Sequence, residues 1–136
     1  MIEITEKPID VQKIIDAASI KQAGAVNVFV GTIRDSANNK TVTRLEYEAY
    51  ESMAVSEIEK IINEASRRWP VLAHAVSHRT GIVLPGDVAV VIAIATPHRK
   101  ESFAACQFVI DELKLKAPIW KKEIFEGGEE WISAHP

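Results

Sequence analysis

Three consecutive basic residues stand where the sequence predicts the start of a helix. They are His98, Arg99 and Lys100, and they follow Thr96 and Pro97 at the end of an apolar, β-rich run. Thr96 is expected to cap the helix, with Pro97 at its first position. Because unpaired backbone N–H groups make a helix start partly positive, basic side chains are unfavourable there unless they bind an anion such as phosphate or carboxylate. The alternative is that these side chains point into solvent.

The same helix, predicted over residues 97–116, carries a lysine near its apolar face. At about 100° per residue, Lys114 projects within about 20° of Phe103 and beside Ile110, at the edge of that face. An ammonium group on a packed surface loses hydration, which lowers its pKa and suits it to nucleophilic attack or proton transfer. The alternative is a lysine whose stem crosses the rim of the core and whose charge reaches water.

Further basic residues lie on two predicted strands. Arg34 ends a strand on the face of its valines, where a guanidinium can bind an anion bidentately or pair with the neighbouring Asp35. Lys121 and Lys122 are adjacent in the last long strand, so their side chains point to opposite faces. The periodicity does not say which of the two lysines faces a pocket.

Most sequence signatures of catalysis are absent. The chain has no P-loop, no dinucleotide-binding glycine motif, no HExxH and no nucleophile elbow. Cys106, the only cysteine, cannot form an internal disulfide and falls on the apolar stripe of the third helix, which favours an inert buried thiol over a nucleophile. His74 and His78 lie four residues apart in a predicted strand, and that spacing favours packed or solvated histidines over a metal site.

The composition predicts one globular domain spanning residues 1–136. The 136 residues include 16 Lys+Arg and 19 Asp+Glu, for a formal net charge of −3, and 47% are hydrophobic. This mildly acidic total argues against a general nucleic-acid binder, which needs clustered Lys and Arg for phosphate contacts. The sequence shows neither a secretory signal nor an apolar run long enough to cross a membrane, so we expect a cytoplasmic protein.

The pattern of apolar residues predicts an α+β domain with three helices on a largely antiparallel sheet. The helices are predicted over about 9–22 with Gly24 as C-cap, over about 52–69 between a Ser52 cap and Pro70, and over 97–116. Val88–Ala95 is apolar on both faces, which predicts a central strand. The polar stretch 36–40 is predicted as a loop, and other strands are predicted at 2–5, 25–33, 42–50, 71–80, 119–125 and 131–133.

Short motifs spread over residues 24–131 form a specific set. They are Gly24–Val26, Val30–Asp35, Leu45–Tyr50, His78–Gly81, Leu84–Asp87, Pro97–Arg99, Leu113–Lys114 and Trp120–Glu123. In order and spacing, this set resembles the large, catalytic subunit of molybdopterin synthase, the MoaE family. The resemblance implies an α/β-hammerhead type of fold, consistent with the α+β prediction. It also implies a homodimer in which each protomer binds a small ubiquitin-like sulfur-carrier subunit of the MoaD type, giving a heterotetramer.

The resemblance also implies a reaction. Sulfur would pass from the thiocarboxylate of the carrier's C-terminal Gly-Gly to cyclic pyranopterin monophosphate, and two transfers would form the dithiolene of molybdopterin. Lys114 and Lys121 match the active-site lysines of the family, both as catalytic and as substrate-binding residues. The family performs this step without a metal or redox cofactor.

Four other residues are assigned to substrate binding by the same resemblance. Arg34, His98 and Arg99 match basic residues that line the pterin-phosphate pocket of the family. His135 stands where the family often has an arginine that reaches the neighbouring protomer's pocket. That contact is therefore expected to be weaker, pH-dependent or absent in this chain.

Two other functions stay open on the residues alone. A non-catalytic module could bind a phosphorylated metabolite or mediate assembly with the same basic residues, although it would need no desolvated amine at Lys114. A small phosphoester enzyme is less favoured, because the sequence lacks a P-loop and an Asp/His metal cluster.

Overall fold

The computed structural model describes residues 1–133, which form three helices and nine strands. In chain order the elements are β1 (Ile2–Thr5), α1 (Val11–Ala18), β2 (Ala25–Thr32), β3 (Ser36–Ala37), β4 (Lys40–Ala49), α2 (Glu51–Arg68), β5 (Ala73–Arg79), β6 (Gly81–Val83), β7 (Val88–Thr96), α3 (Arg99–Lys116), β8 (Ile119–Phe125) and β9 (Gly128–Ser133). The predicted α+β class is confirmed.

The first sheet has the strand order β1-β5-β7-β2. β1 runs parallel to β5, and the other neighbours are antiparallel. β7 lies inside this sheet, and every residue from Ala89 to Thr96 is buried. The prediction of a central strand from its two apolar faces is therefore confirmed.

The structure contains two sheets, whereas the sequence predicted one. The second sheet is fully antiparallel. Its strand order is β3-β4-β8-β9, and β6 pairs with β4. The predicted loop 36–40 is a hairpin instead: Asn38 and Asn39 have φ of 52° and 62°, the left-handed conformation that lets a two-residue turn join β3 to β4. β3 and β6 are too short to produce a recognisable alternation of apolar residues.

Helices cover both faces of the first sheet. α1 packs Ile14 and Ala18 against Val91 and Ala93 of β7. On the other face, α2 and α3 pack against side chains of β5 and β7 that include Val76, Ile92 and Ile94. Alternate residues of β7 therefore enter two different apolar clusters, which explains why this strand has no polar face.

The predicted ends of the first two helices were partly wrong. α1 begins after Asp10, whose side chain accepts from the Lys13 N–H at 3.2 Å, but it already ends at Ala18 because Ser19 is extended. Ser52 lies inside α2, since the helix begins after Tyr50, whose side chain makes no capping hydrogen bond. Tertiary packing of the helix, rather than a polar cap, decides this start.

Gly24 lets two backbone segments approach each other closely, and it does not cap α1, which ends at Ala18. Its N–H donates to the Thr96 carbonyl at 3.1 Å, and a Cβ at this position would lie 2.2 Å from the Pro97 carbonyl oxygen. Because that oxygen belongs to the backbone, it cannot move away without displacing the chain that leads into α3.

We expect Gly24→Ala to lower the free energy of unfolding by about 1–3 kcal/mol, the usual cost of overpacking. Urea denaturation measures this change. Gly128→Ala is the matched control, because an added Cβ there meets nothing within 4 Å. Equal stabilities of the two variants would show that the close approach at Gly24 does not require glycine.

Candidate active site

Two lysines flank the connection between α3 and β8. Lys114 lies in the last turn of α3, and Lys121 is the third residue of β8. Ala117 is fully buried and ends the helix, with its N–H donating to the Leu113 carbonyl at 3.0 Å. Since Pro118 disfavours a helical conformation for the residue before it, the chain turns directly into the strand. This short connection places the two lysines close together, and both line the same cavity.

The strand alternation on β8 decides between the two adjacent lysines. Lys121 shares a face of the strand with the buried Glu123, and both side chains line the cavity. Lys122 lies on the opposite face, where its Nζ is 3.1 Å from Glu129 Oε1 and 5.2 Å from the centre of the Trp131 ring. Lys121 is thus the lysine that faces the cavity.

The cavity consists of two neighbouring pockets that share part of their lining. The first, which we call the outer pocket, has a volume of about 190 Å³ and is lined by residues that include Arg34, Tyr47, Lys114, Lys121 and Glu123. The second, which we call the inner slot, has a volume of about 70 Å³ and is lined by residues that include Phe29, Tyr47, His78, Leu113, Lys114 and Lys121. Tyr47 and both lysines line the two parts together.

Arg34 occupies the outer pocket just after the end of β2. Of the two alternatives left open by the sequence, pairing with Asp35 does not occur: within residues 1–133 the Arg34 guanidinium forms no ion pair with that carboxylate. The guanidinium is therefore placed to bind an anionic group that enters the pocket.

Lys114 has a lowered pKa, which agrees with one of the two alternatives that the sequence left open. Desolvation by burial is the larger cause, and the positive charge of Lys121 is the second, although much of the Lys114 side chain remains exposed. Of the two side chains predicted to pack beside Lys114, only one is part of the core. Ile110 is buried, but Phe103 is 61% exposed and does not mark the packed face of α3. Lys114 therefore lies at the rim of the core, beside Ile110.

Three residues of the site were missed as functional candidates. Tyr47 lies opposite Lys121 in the β4–β8 pairing, and burial, followed by the charge of Glu123, raises its pKa to about 12. His78 is 5% exposed and touches the Tyr47 ring edge to face, with centroids 5.2 Å apart. The spacing of Lys121 and Glu123 on one strand face could have identified Glu123, whereas the contact of His78 depends on pairing between distant segments.

His98 and Arg99 do not join Arg34 at this cavity within one chain. They lie at the start of α3, and at 1.5 Å per residue Arg99 is about 22 Å along the helix from Lys114. They line neither the outer pocket nor the inner slot. The chain by itself therefore assembles Arg34, Lys114 and Lys121, and leaves the other two basic residues at a second location.

The predicted capping of α3 by Thr96 was wrong. His98 is the N-cap, with φ −133° and ψ 153° and no side-chain capping bond, so Pro97 is not the first helical residue. The Thr96 hydroxyl is fully buried and donates to the His98 carbonyl at 2.6 Å. Thr96 thus stabilises the extended approach to the helix rather than the helix itself.

The remaining candidates are readily placed. Cys106 is 2% exposed, which confirms its predicted burial, and burial raises its pKa to about 11, as is typical of an unreactive thiol. The buried position of His78 is consistent with a packed strand histidine, the interpretation that the sequence favoured.

In the described part of the chain, no three His, Cys, Asp or Glu side chains come together as a metal site. Over the same residues, no helix is long and apolar enough to cross a membrane. His135 lies outside the described residues.

The position of Lys121 yields a test of the lowered pKa. We expect Lys121→Met to raise the pKa of Lys114 because a like charge is removed, without restoring its ordinary value because burial remains the larger cause. Acetylation of Lys114 by acetic anhydride pulses at a series of pH values, quantified by mass spectrometry, measures this pKa. Lys122→Met, on the opposite strand face, is the control and should leave the pKa unchanged. No change in Lys121→Met would contradict the proposed proximity.

Burial of His78 makes the stability of the fold depend on pH. Its pKa falls from 6.5 to about 4, chiefly through desolvation. Between these values the unfolded chain binds a proton that the folded chain excludes, so about 3 kcal/mol of stability present above pH 6.5 is lost as the pH falls towards 4. In urea denaturation, His78→Gln should flatten this dependence more than His74→Gln, since His74 is less buried. Identical slopes in the wild type and His78→Gln would contradict the buried neutral ring.

The chain is similar to a known family over most of its length. Residues 4–116 match the family model described as MoaE protein. The chain is 45% identical over 130 residues to the molybdopterin synthase catalytic subunit of Bacillus subtilis, covering 96% of this chain and 83% of that protein. It is 46% identical over 133 residues to the molybdopterin synthase catalytic subunit of Arabidopsis thaliana, covering 96% and 67%.

Solved structures show the same similarity in three dimensions. The crystal structure of molybdopterin synthase from Staphylococcus aureus superimposes with a TM-score of 0.91 at 36% identity, covering 95% of this chain and 94% of that chain. A chain from the complex of subunits 1 and 2 of molybdopterin-converting factor from Helicobacter pylori gives 0.80 at 25% identity, covering 99% and 93%. With the family model matching most of its length, the chain belongs to the MoaE family of molybdopterin synthase catalytic subunits.

Proposed function

We propose that the outer pocket and the inner slot are the place where this chain transfers sulfur to cyclic pyranopterin monophosphate. The observation that carries the proposal is the convergence of Lys114 and Lys121 on one cavity, where the pKa of Lys114 is lowered. A site that only bound anions would need positive charge but no desolvated amine. Arg34 adds a guanidinium suited to the phosphate of the pterin.

The proposed sulfur donor is a small ubiquitin-like carrier of the MoaD type with a C-terminal Gly-Gly thiocarboxylate. The related H. pylori structure is a complex of two different subunits, which supports a partner subunit for this chain. The inner slot holds about 70 Å³ between walls that include Phe29 and Leu113, a space suited to a segment without side chains. Its two lysines would meet the terminal thiocarboxylate.

In the proposed step the carrier loses its sulfur but keeps its C-terminal acyl carbon. The thiocarboxylate sulfur attacks a carbon of the pterin, and as the new S–C bond forms, a C–O bond of that carbon breaks and its electron pair leaves with the oxygen. The bond between that sulfur and the acyl carbon then breaks when water attacks the acyl carbon, so the sulfur stays on the pterin as a thiolate. The carrier then leaves as a carboxylate. A neutral Lys114 amine accepts the proton of the attacking water; in the alternative, the amine itself attacks and the resulting acyl-lysine is hydrolysed. The Lys121 ammonium stabilises negative charge on the acyl oxygen. Two transfers complete the dithiolene.

His98, Arg99 and His135 are proposed to serve a neighbouring copy of the chain. Their support is the placement of His98 and Arg99, since Arg99 is about 22 Å along α3 from Lys114 and outside the cavity of its own chain. In the homodimer implied by the family, the start of one α3 would approach the other copy's pocket and hold the phosphate with Arg34. The cytoplasmic location expected from the sequence stays a prediction.

Dithiolene formation by the purified chain with a thiocarboxylated carrier and cyclic pyranopterin monophosphate tests the proposal. We expect Lys114→Ala to slow product formation by about 10²–10⁴-fold, the usual contribution of a proton-transfer group. Lys121→Ala should cost about 10²–10³-fold through lost stabilisation of charge. Product can be followed as the pterin dithiolene by fluorescence after oxidation.

The chain offers a matched control for each lysine. Lys116→Ala removes an exposed lysine of the same helix that pairs with Glu112, and Lys122→Ala removes the neighbour on the opposite strand face. Both controls should retain the wild-type rate. No product from the wild-type chain would refute the reaction, whereas unchanged rates in Lys114→Ala and Lys121→Ala would refute the site and leave the reaction standing.

A further inference from the structure

The imidazole of His78 is held in one tautomer by a backbone carbonyl. His78 is 5% exposed, and its Nδ1 lies 2.8 Å from the carbonyl oxygen of Arg79. A carbonyl oxygen only accepts hydrogen bonds, so Nδ1 carries the proton. Since burial keeps the ring neutral at pH 7, with a pKa of about 4, the other nitrogen, Nε2, carries a lone pair and acts only as an acceptor.

The plane of the ring is fixed by a second contact. Tyr47 meets the ring at 74° with centroids 5.2 Å apart, an edge-to-face arrangement. Tyr47 itself is held on β4, opposite Lys121 of β8. The carbonyl of Arg79 and the ring of Tyr47 therefore constrain the imidazole from two sides, which leaves little freedom to reorient.

His78 and Lys114 share the inner slot. Both line it together with Tyr47 and Lys121, and the charge of Lys114 is close enough to disfavour protonation of His78. The charged groups that face the imidazole are Lys114 from α3 and Lys121 from β8, with the carboxylate of Glu123 beyond Tyr47 in the outer pocket. The amine of Lys114 is thus within electrostatic reach of a fixed, neutral acceptor.

We propose that His78 is a positioning residue for Lys114, whose amine donates a hydrogen bond to His78 Nε2 in the inner slot before the carrier and the pterin bind. The inference rests on the proposed role of Lys114. An amine that donates one N–H to a neutral acceptor keeps its lone pair for the water or acyl carbon that it must meet. A carboxylate in the same place would instead favour the ammonium form, which has no lone pair.

Nitrogen NMR of the full-length chain tests the geometry without any substrate. Long-range ¹H–¹⁵N spectra of protein labelled at histidine report which nitrogen of His78 is protonated and whether the other accepts a hydrogen bond. We expect the Nδ1–H tautomer at pH 7 and a shift of the Nε2 resonance in Lys114→Met. Lys116→Met is the control and should leave the resonance in place. A protonated Nε2, or an Nε2 resonance that ignores Lys114→Met, would overturn the proposal whatever the activity of the chain.

The kinetics of dithiolene formation distinguish a positioning role of His78 from a role in packing alone. We expect His78→Phe, which keeps an aromatic ring without an acceptor, to lower kcat about tenfold or more with KM for the carrier unchanged. His78→Gln restores a neutral acceptor and should recover most of that loss, and His74→Gln on the same strand should match the wild type. Equal losses in His78→Phe and His78→Gln, with both variants folded by thermal denaturation, would assign the ring to packing alone.

Discussion

Two positive charges meet at the connection between α3 and β8, and the packing of that connection has to hold them together against their repulsion. Ala117 and Ile119 are fully buried there, and Pro118 between them prevents the helix from continuing. β8 is then paired with β4, with Tyr47 opposite Lys121. A looser connection would let the lysines separate and hydrate, and the pKa of Lys114 would return towards its ordinary range.

The inner slot complements this arrangement, because among the described residues its lining carries no charged side chain other than the two lysines. Burial acts in opposite directions on the two rings, raising the pKa of Tyr47 to about 12 and lowering that of His78 to about 4, and both effects leave a neutral group at pH 7. The charged residues Arg34 and Glu123 lie in the outer pocket. The inner slot therefore combines two amines with the neutral rings of Phe29, Tyr47 and His78. Such surroundings favour the loss of a proton from an amine, and no carboxylate of residues 1–133 lines the slot for an ion pair.

Much of this architecture could be predicted from local patterns. β8 has the predicted bounds 119–125, and the apolar run of β7 is the central strand because helices cover both of its faces. The helix starts could not be predicted from Ser52 and Thr96, because packing and an extended segment after Thr96 decide where α2 and α3 begin. β3 and β6 were missed because they comprise two and three residues. The division into two sheets could not be predicted, because the pairing of β4 with β8 joins segments far apart in the sequence and leaves no mark in local alternation.

The site was predictable in part. The position of Lys114 near the apolar face follows from helix geometry, but the choice of Lys121 over Lys122 depends on the pairing of β8 with β4. The role of His78 could not be read from periodicity, since its contact with Tyr47 joins β5 to β4. The family resemblance assigns His98 and Arg99 to the substrate pocket that also holds Lys114. Within one chain, however, the length of α3 separates these two residues from Lys114.

The central claim is that Lys114 contributes an amine that can lose its proton, and not only a positive charge. Single-turnover formation of the dithiolene by Lys114→Arg, compared with the wild type at saturating carrier, tests it most directly, because arginine keeps the charge but stays protonated. If the amine of Lys114 must lose its proton, Lys114→Arg still binds the carrier but transfers sulfur at least about 100-fold more slowly than the wild type. A wild-type rate in Lys114→Arg would contradict this claim and show that charge alone is sufficient.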